Sequence, residues 1–209
     1  MTGALGLVLV VDGSQRQSPL VLLADGRGGC EWVDEAHGGS DQLLAGMVGA
    51  LRRAGRGGIF RVLACRGPGS YMGVRAALSA ALGVAQGRSL PLLLASSLEL
   101  VRAQLGEEGG PVLALQDAGR GGTYGQVLGG EEAVPPGLLA RNGEWPPEWL
   151  GTERATGTLG EGRSQPPGPR WLEPRLDRAA AWSLLAGASR VATDYDHVSA
   201  DYPAQIGER

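Results

Sequence analysis

The stretch Ile59-Phe60-Arg61-Val62-Leu63-Ala64-Cys65 runs directly into Arg66-Gly67-Pro68-Gly69-Ser70-Tyr71-Met72-Gly73-Val74-Arg75. The first seven residues are mostly apolar and read as a buried strand. The glycines that follow permit positive φ angles and let the backbone come close to a neighbouring surface. Pro68 stiffens the turn. Ser70 is placed to cap a helix by accepting from an amide two or three residues on. The spacing predicts a helix from Gly73 or Val74 to about Gln86. Its stripe of Val74, Ala77, Leu78, Ala81, Leu82 and Ala85 is apolar, and its other side, Ala76, Ser79, Ala80, Gly83 and Val84, is small and barely polar. Such a helix can pack on both sides, within the monomer or at a subunit interface.

Free amides at a helix start suit an anion. Gly67, Gly69, Ser70 and Gly73 are therefore candidate phosphate-binding positions, together with Asp12 and Ser14 in the turn that ends the first strand. Two familiar phosphate loops are excluded. The chain has no lysine, so a Walker A loop is ruled out, and the third glycine falls one residue late for a dinucleotide fingerprint.

Upstream of this stretch, Leu5–Val11 and Pro19–Ala24 read as strands, and Cys30–Val33 as a shorter third one, with tight turns between them. A helix capped by Ser40 or Asp41 is expected to run to about Gly55, with Leu43, Leu44, Met47, Val48 and Leu51 on one face. Arg52, Arg53 and Arg56 crowd its end, where cations suit the helix dipole. Downstream, Leu92–Ala95, Pro111–Gln116 and Thr123–Leu128 read as strands, and Leu98–Leu105 as a helix. Residues 129–175 lose periodicity and hold Pro135-Pro136, Pro146-Pro147 and Pro166-Pro167-Gly168-Pro169. Loops with one or two short strands are expected there, with Trp145, Trp149 and Trp171 plugging a thin core. Asp177 is placed to cap a last helix, Arg178–Ala188, and Val191–Thr193 suits a closing strand. A meander followed by crossover units is an α/β order that fits an actin-like fold. The expected subdomains are residues 1–105 and a smaller 106–209, with the last helix packing back on the first.

Composition narrows the function classes. The chain has 209 residues, 43% hydrophobic and 20% charged, which is ordinary for a globular protein. No apolar run suggests a membrane span, and Met1–Val11 lacks a basic leader and a cleavage site, so a cytoplasmic location is expected. Cys30 and Cys65 are isolated, and His37 and His197 form no His-x-x-x-His pair, so no metal site or disulfide framework is expected. All 19 basic residues are arginine, which also excludes a Schiff-base lysine and a Ser-Lys dyad. The net charge of −3 argues against a protein that grips tRNA by its phosphates unaided.

The loop Gly67-Pro68-Gly69-Ser70-Tyr71-Met72-Gly73-Val74-Arg75, opening a small-residue helix, closely resembles the signature turn of the TsaB (YeaZ) family, with Met72 where that family has threonine. Other segments resemble the family in order. Val10-Val11-Asp12-Gly13-Ser14 is similar to its first-strand ending, Ser96-Ser97-Leu98-Glu99 to a helix start, and Leu115-Gln116-Asp117-Ala118-Gly119-Arg120 with Thr123-Tyr124 to its next hairpin. The likeness covers about residues 4–128. Two departures stand out. Ser40 occupies the place of a family histidine, and the closing motif survives only as Pro203-Ala204-Gln205-Ile206-Gly207.

The resemblance implies an actin-like ATPase (ASKHA, ribonuclease H-like) fold of two subdomains, the second reduced. It implies a non-catalytic subunit that docks on TsaD, with a TsaE-type ATPase joining, to support threonylcarbamoyl transfer to the adenosine beside the tRNA anticodon. Docking would use the two helices at about 41–55 and 73–86. The candidate interface residues are Leu43, Leu44, Met47, Leu51, Ala76, Ser79, Ala80 and Gly83, and a homodimer through the same surface is expected without the partner. No cofactor is required, ATP or ADP being expected only at an interface shared with the partner, and tRNA is contacted only through the complex. The alternative is an ATP-binding phosphotransferase or ATPase of the same superfamily, with Asp12 and Asp117 as magnesium ligands. A peptidase is disfavoured by two lone histidines and no paired nucleophile.

Overall fold

The structure, a computed structural model, describes residues 6–15, 18–25, 27–35, 40–55, 58–107, 109–131, 134–188 and 192–203. The chain divides into two units, residues 1–96 with 178–201, and residues 97–177 with 202–209.

In the first unit β1 (Leu7–Asp12), β2 (Leu20–Ala24) and β3 (Cys30–Glu35) form the meander. Then follow α1 (Ser40–Ala54), β4 (Ile59–Cys65), α2 (Tyr71–Arg88) and β5 (Leu92–Ala95). The sheet order is β3-β2-β1-β4-β5, antiparallel across the meander and parallel over β1, β4 and β5. The side chains of Leu9, Val11, Val21, Leu23, Val62 and Ala64 point to the face covered by α1 and α2. Val8, Val10, Leu20 and Leu22 are buried as well, so β1 and β2 are apolar on both faces. That double burial is why these strands read as continuous apolar runs rather than as alternating ones.

The second unit opens with α3 (Ser97–Ala103), followed by β6 (Val112–Gly119), β7 (Gly122–Leu128), β8 (Gly137–Leu139), the one-turn α4 (Pro147–Leu150), β9 (Arg154–Gly157) and β10 (Arg170–Trp171). Its sheet order, β10-β9-β6-β7-β8, read from β8, repeats that of the first sheet: third, second, first, fourth, fifth strand. The strand senses repeat too, antiparallel from β6 to β8 and parallel from β6 through β9 to β10. The second copy is reduced. Its first crossover helix is the single turn α4, and no helix lies between β9 and β10. Each copy sends its final helix to the other unit: α3, which follows β5, packs on β6, β7 and β9, and α5 (Arg178–Gly187), which follows β10, packs on β1, β2 and β3.

Several boundaries differ from the sequence reading. The first division falls at Ser96 rather than 105, so α3 belongs to the second unit. Helix α2 begins at Tyr71, two residues before the first glycine expected in it, because Ser70 caps it directly. Residues 129–175 hold three short strands and a helical turn, more order than expected, because strands of two to four residues are too short to show a period. Trp149 is buried there, with Trp145 and Trp171 packed against the same cluster, as expected for core plugs. Gly125 makes the space, since a Cβ on it would lie 2.5 Å from the Trp149 ring. No strand forms at 192–193. Instead the amide of Thr193 donates to the Leu92 carbonyl at 2.7 Å and covers the β5 edge. Residue 191, His37, Arg56 and residues 204–207 of the closing motif lie outside the described residues.

Candidate functional site

The strand β1 ends on Asp12, whose side chain is fully buried at 0% exposure. Its Oδ1 accepts from the Ser14 amide at 2.8 Å, an Asx turn that explains the Asp-Gly-Ser sequence. Its Oδ2 accepts from Arg178 Nη2 at 2.8 Å, from Arg178 Nε at 3.3 Å and from Trp182 Nε1 at 2.8 Å. Burial alone would raise the Asp12 carboxyl, but the Arg178 guanidinium and the Ser14 amide outweigh it and hold the carboxyl below the ordinary range. Cys65 ends the neighbouring parallel strand. Burial first, and the nearby Asp12 carboxylate next, push its thiol well above the usual value. It is therefore an inert core thiol.

The glycine loop is seated on the end of β1. The Ser70 amide donates to the Ser14 carbonyl at 2.7 Å, and Ser70 Oγ accepts from the Gly73 amide at 3.3 Å. A Cβ on Gly13 would lie 2.2 Å from the Gly73 carbonyl oxygen, and one on Gly73 would lie 2.2 Å from that of Gly13, so the two backbones touch. Gly67 takes φ +92° and Gly69 φ +155°, and a Cβ on Gly69 would meet the Ser14 carbonyl at 2.4 Å. The structure thus brings together all six candidate nucleotide positions, Asp12, Ser14, Gly67, Gly69, Ser70 and Gly73. Gly69 packs on Ser14 and Gly73 on Gly13, while Gly67 lies against the Asp201 carbonyl. The Ser70 and Gly73 amides that a phosphate would need already have partners, the Ser14 carbonyl and Ser70 Oγ.

The actin-like fold implies a nucleotide with its metal, and this donor set does not fit one. Arg178 and Trp182 crowd three donors onto Oδ2 and the Ser14 amide takes Oδ1, so the Asp12 side chain meets a cation already in place, the Arg178 guanidinium, rather than an open metal position. Asp117, the equivalent acid at the β6–β7 turn, makes the same Asx turn, with Gly119 N donating to its Oδ1 at 2.7 Å, but is exposed. Among the described residues no group of three or more His, Cys, Asp or Glu side chains is placed to hold a metal ion. His197 is exposed and lies 3.5 Å from Asp194 on its own turn.

The second site is the outer side of α1 and α2, which lie against each other over one face of the sheet. Of the expected interface residues, Leu43 and Met47 are core residues at 1% and 3% exposure and are not available to a partner. The reason is angular: positions 43, 47, 50 and 54 form the line that faces the sheet, while Leu44 and Val48 lie about 100° further round the helix. Leu44 is 52% exposed, and Val48 is similarly open. Leu51 is half-buried. On α2, Ser79 and Gly83 are exposed, and Ala76 and Ala80 are half-buried. Tyr71 and Met72 at its start are exposed, Met72 by 69%. Sequence reasoning missed Val48, Tyr71 and Met72 as surface apolar residues. It also missed Arg178 and Trp182, although one turn of helix separates them and sets them on a common side of an otherwise alanine-rich segment.

The strand order, the doubled sheet and the short loop entering α2 define an α/β protein of the ribonuclease H-like, actin-like class. Residues 55–132 match the family described as TsaD: tRNA N6-adenosine threonylcarbamoyltransferase. No curated protein matches the chain. An uncharacterized protein with similarity to peptidase YEAZ, from Pseudomonas aeruginosa, has a crystal structure that aligns with TM-score 0.71 at 21% identity, covering 94% of this chain and 99% of that one. YeaZ from Pseudomonas aeruginosa aligns with TM-score 0.70 at 20% identity, over the same shares of the two chains. The fold is therefore that of YeaZ.

Proposed function

We propose that this chain is a non-catalytic partner subunit in tRNA threonylcarbamoyladenosine formation, docking on a TsaD-type transferase through the outer side of α1 and α2. The observation that carries the docking role is the exposure of Leu44, Val48, Tyr71 and Met72 on two adjacent helices beside the small residues Ser79 and Gly83. Large apolar side chains grouped on the surface of one face suit a protein interface, and small residues beside them allow a partner helix to approach closely. The non-catalytic reading rests on the sealed Asp12 and on the engaged amides of the glycine loop. The chain's negative charge suits engagement of tRNA through the complex rather than by this subunit alone. A TsaE-type ATPase completes the assembly, and any ATP or ADP would be held largely by the partner. In the absence of a partner the same helix face pairs two copies of the chain.

Mixing the purified chain with a TsaD-type subunit and following size-exclusion elution tests the reading. A stoichiometric complex, with threonylcarbamoyl transfer only when both are present, is expected. Failure to co-elute with the cognate transferase would remove the docking role. Turnover by the isolated chain would remove the non-catalytic one.

A further inference from the structure

The carboxyl ends of β1, β4 and β5 form the edge of the first sheet where open α/β sheets take ligands, at the point where the strand order reverses. Asp12 stands at that point, and the group seated on it belongs to the chain itself. Arg178, at 8% exposure, reaches Asp12 Oδ2 with Nη2 and Nε, reaches Glu35 Oε1 with Nη1 at 3.2 Å, and donates through Nη1 to the Ser18 carbonyl. Three oxygens from β1, the β1–β2 connection and β3 thus converge on one buried cation. Two carboxylates and a main-chain carbonyl are the donor set that a hard divalent cation collects. A guanidinium gathers them here because its fork is planar and permanently charged, and is less strongly hydrated than a compact ion.

We infer that Arg178 is a built-in substitute for a divalent cation at the end of β1, holding together oxygens that would otherwise need a metal ion. Several features of the surroundings agree. Trp182, one turn further along α5, closes the remaining side of Asp12 with its Nε1. The chain re-enters the first unit at Arg178 itself, so the cation arrives with the helix that covers β1, β2 and β3. The quasi-equivalent Asp117 has the same Asx turn but stays exposed, so the turn by itself does not require burial of the acid. What distinguishes Asp12 is the cation supplied to it. The inference is independent of the docking proposal, since neither Arg178 nor Asp12 is among the residues proposed to meet a partner.

The test is thermal melting of the full chain and of Arg178→Ala, each in EDTA, in millimolar Mg²⁺ or Ca²⁺, and in millimolar guanidinium. The wild type should melt at the same temperature in all three. Arg178→Ala should melt lower in EDTA and regain about 5–10 °C when a divalent cation is present well above its Kd. Guanidinium should restore it similarly, and adding Asp12→Asn should abolish both gains. If Arg178→Ala does not fold in EDTA, the same comparison is made by refolding with and without Ca²⁺. Arg178→Lys, which keeps a charge, should fold without metal and ignore divalent cations. A rise in the wild-type melting temperature with Mg²⁺ or Ca²⁺ overturns the inference. So does an Arg178→Ala protein that neither cation stabilises or refolds, or an Arg178→Lys protein that gains from divalent cations as much as the alanine variant.

Discussion

Arg178 Nη2 lies 2.8 Å from Asp12 Oδ2, across 166 residues of chain, and joins the first helix turn after the second sheet to the end of the first strand. Burying a carboxylate without a counter-charge is strongly unfavourable, and removing one partner of such a pair typically costs about 3–5 kcal/mol. The pair therefore ties the placement of α5 to the meander.

The pH dependence of stability follows from the sign of the shift. The Asp12 carboxyl lies below its ordinary value in the folded state, so its contribution is complete above the unfolded pKa of about 3.9 and is lost as pH falls through the lower folded value. Urea unfolding measured over a pH series should show wild-type stability falling below about pH 4 more steeply than that of Asp12→Asn. Parallel curves for the two proteins would contradict the assignment.

The contact of Gly13 with Gly73 predicts that alanine at either position forces two backbones apart. Gly73→Ala should cost about 1–3 kcal/mol or more in urea denaturation. Gly83 sits in the same helix with nothing within 4 Å of a built Cβ. Gly83→Ala should instead stabilise the isolated chain by about 0.5–1 kcal/mol, through helix propensity. Equal effects at the two glycines would show that the loop is not seated on β1.

The two neighbouring leucines of α1 separate docking from folding. Leu44→Glu should leave the melting temperature nearly unchanged and weaken binding to a TsaD-type partner by about tenfold or more, as should Met72→Glu. Leu43→Glu should instead unfold the chain, because it places a charge in the core. Isothermal titration together with thermal melting distinguishes these outcomes. Unchanged affinity for both surface variants would move the interface elsewhere.

Thiol chemistry reports on the end of β4. Cys30 is exposed and Cys65 is buried. A thiol-reactive dye should label one cysteine promptly in native buffer and both in denaturant. Cys65→Ser should leave the native count unchanged, whereas Cys30→Ser should abolish it. Prompt labelling of Cys65 in the folded chain would contradict its burial beside Asp12.

Much of the first unit was legible in the sequence. The spans of β4 and β5 coincide with their apolar runs, and Ser70 caps α2 as its position suggested. The meander strands were visible because β1 and β2 are buried on both faces. The second unit was hard to read because β8, β9 and β10 are two to four residues long and carry no period. The buried side of α1 is not legible locally, because a helix with apolar residues at 43, 44, 47 and 48 has two neighbouring apolar stripes, and only contact with the sheet decides which one is buried.

By itself the sequence determined the strand–loop–helix unit at 59–86 and its family likeness, since glycine spacing, a capping serine and helical periodicity are local and act within a few residues. It also excluded lysine-dependent chemistry, which is a matter of composition. The tertiary structure alone decided what Asp12 does. A carboxylate at a strand end is equally suited to a metal, a turn or an ion pair, and the choice rests on Arg178 and Trp182 arriving from far along the chain. It also decided that Gly69 and Gly73 serve close backbone packing on Ser14 and Gly13. Long-range packing fixes which donors and acceptors remain available, and that is information no local pattern carries.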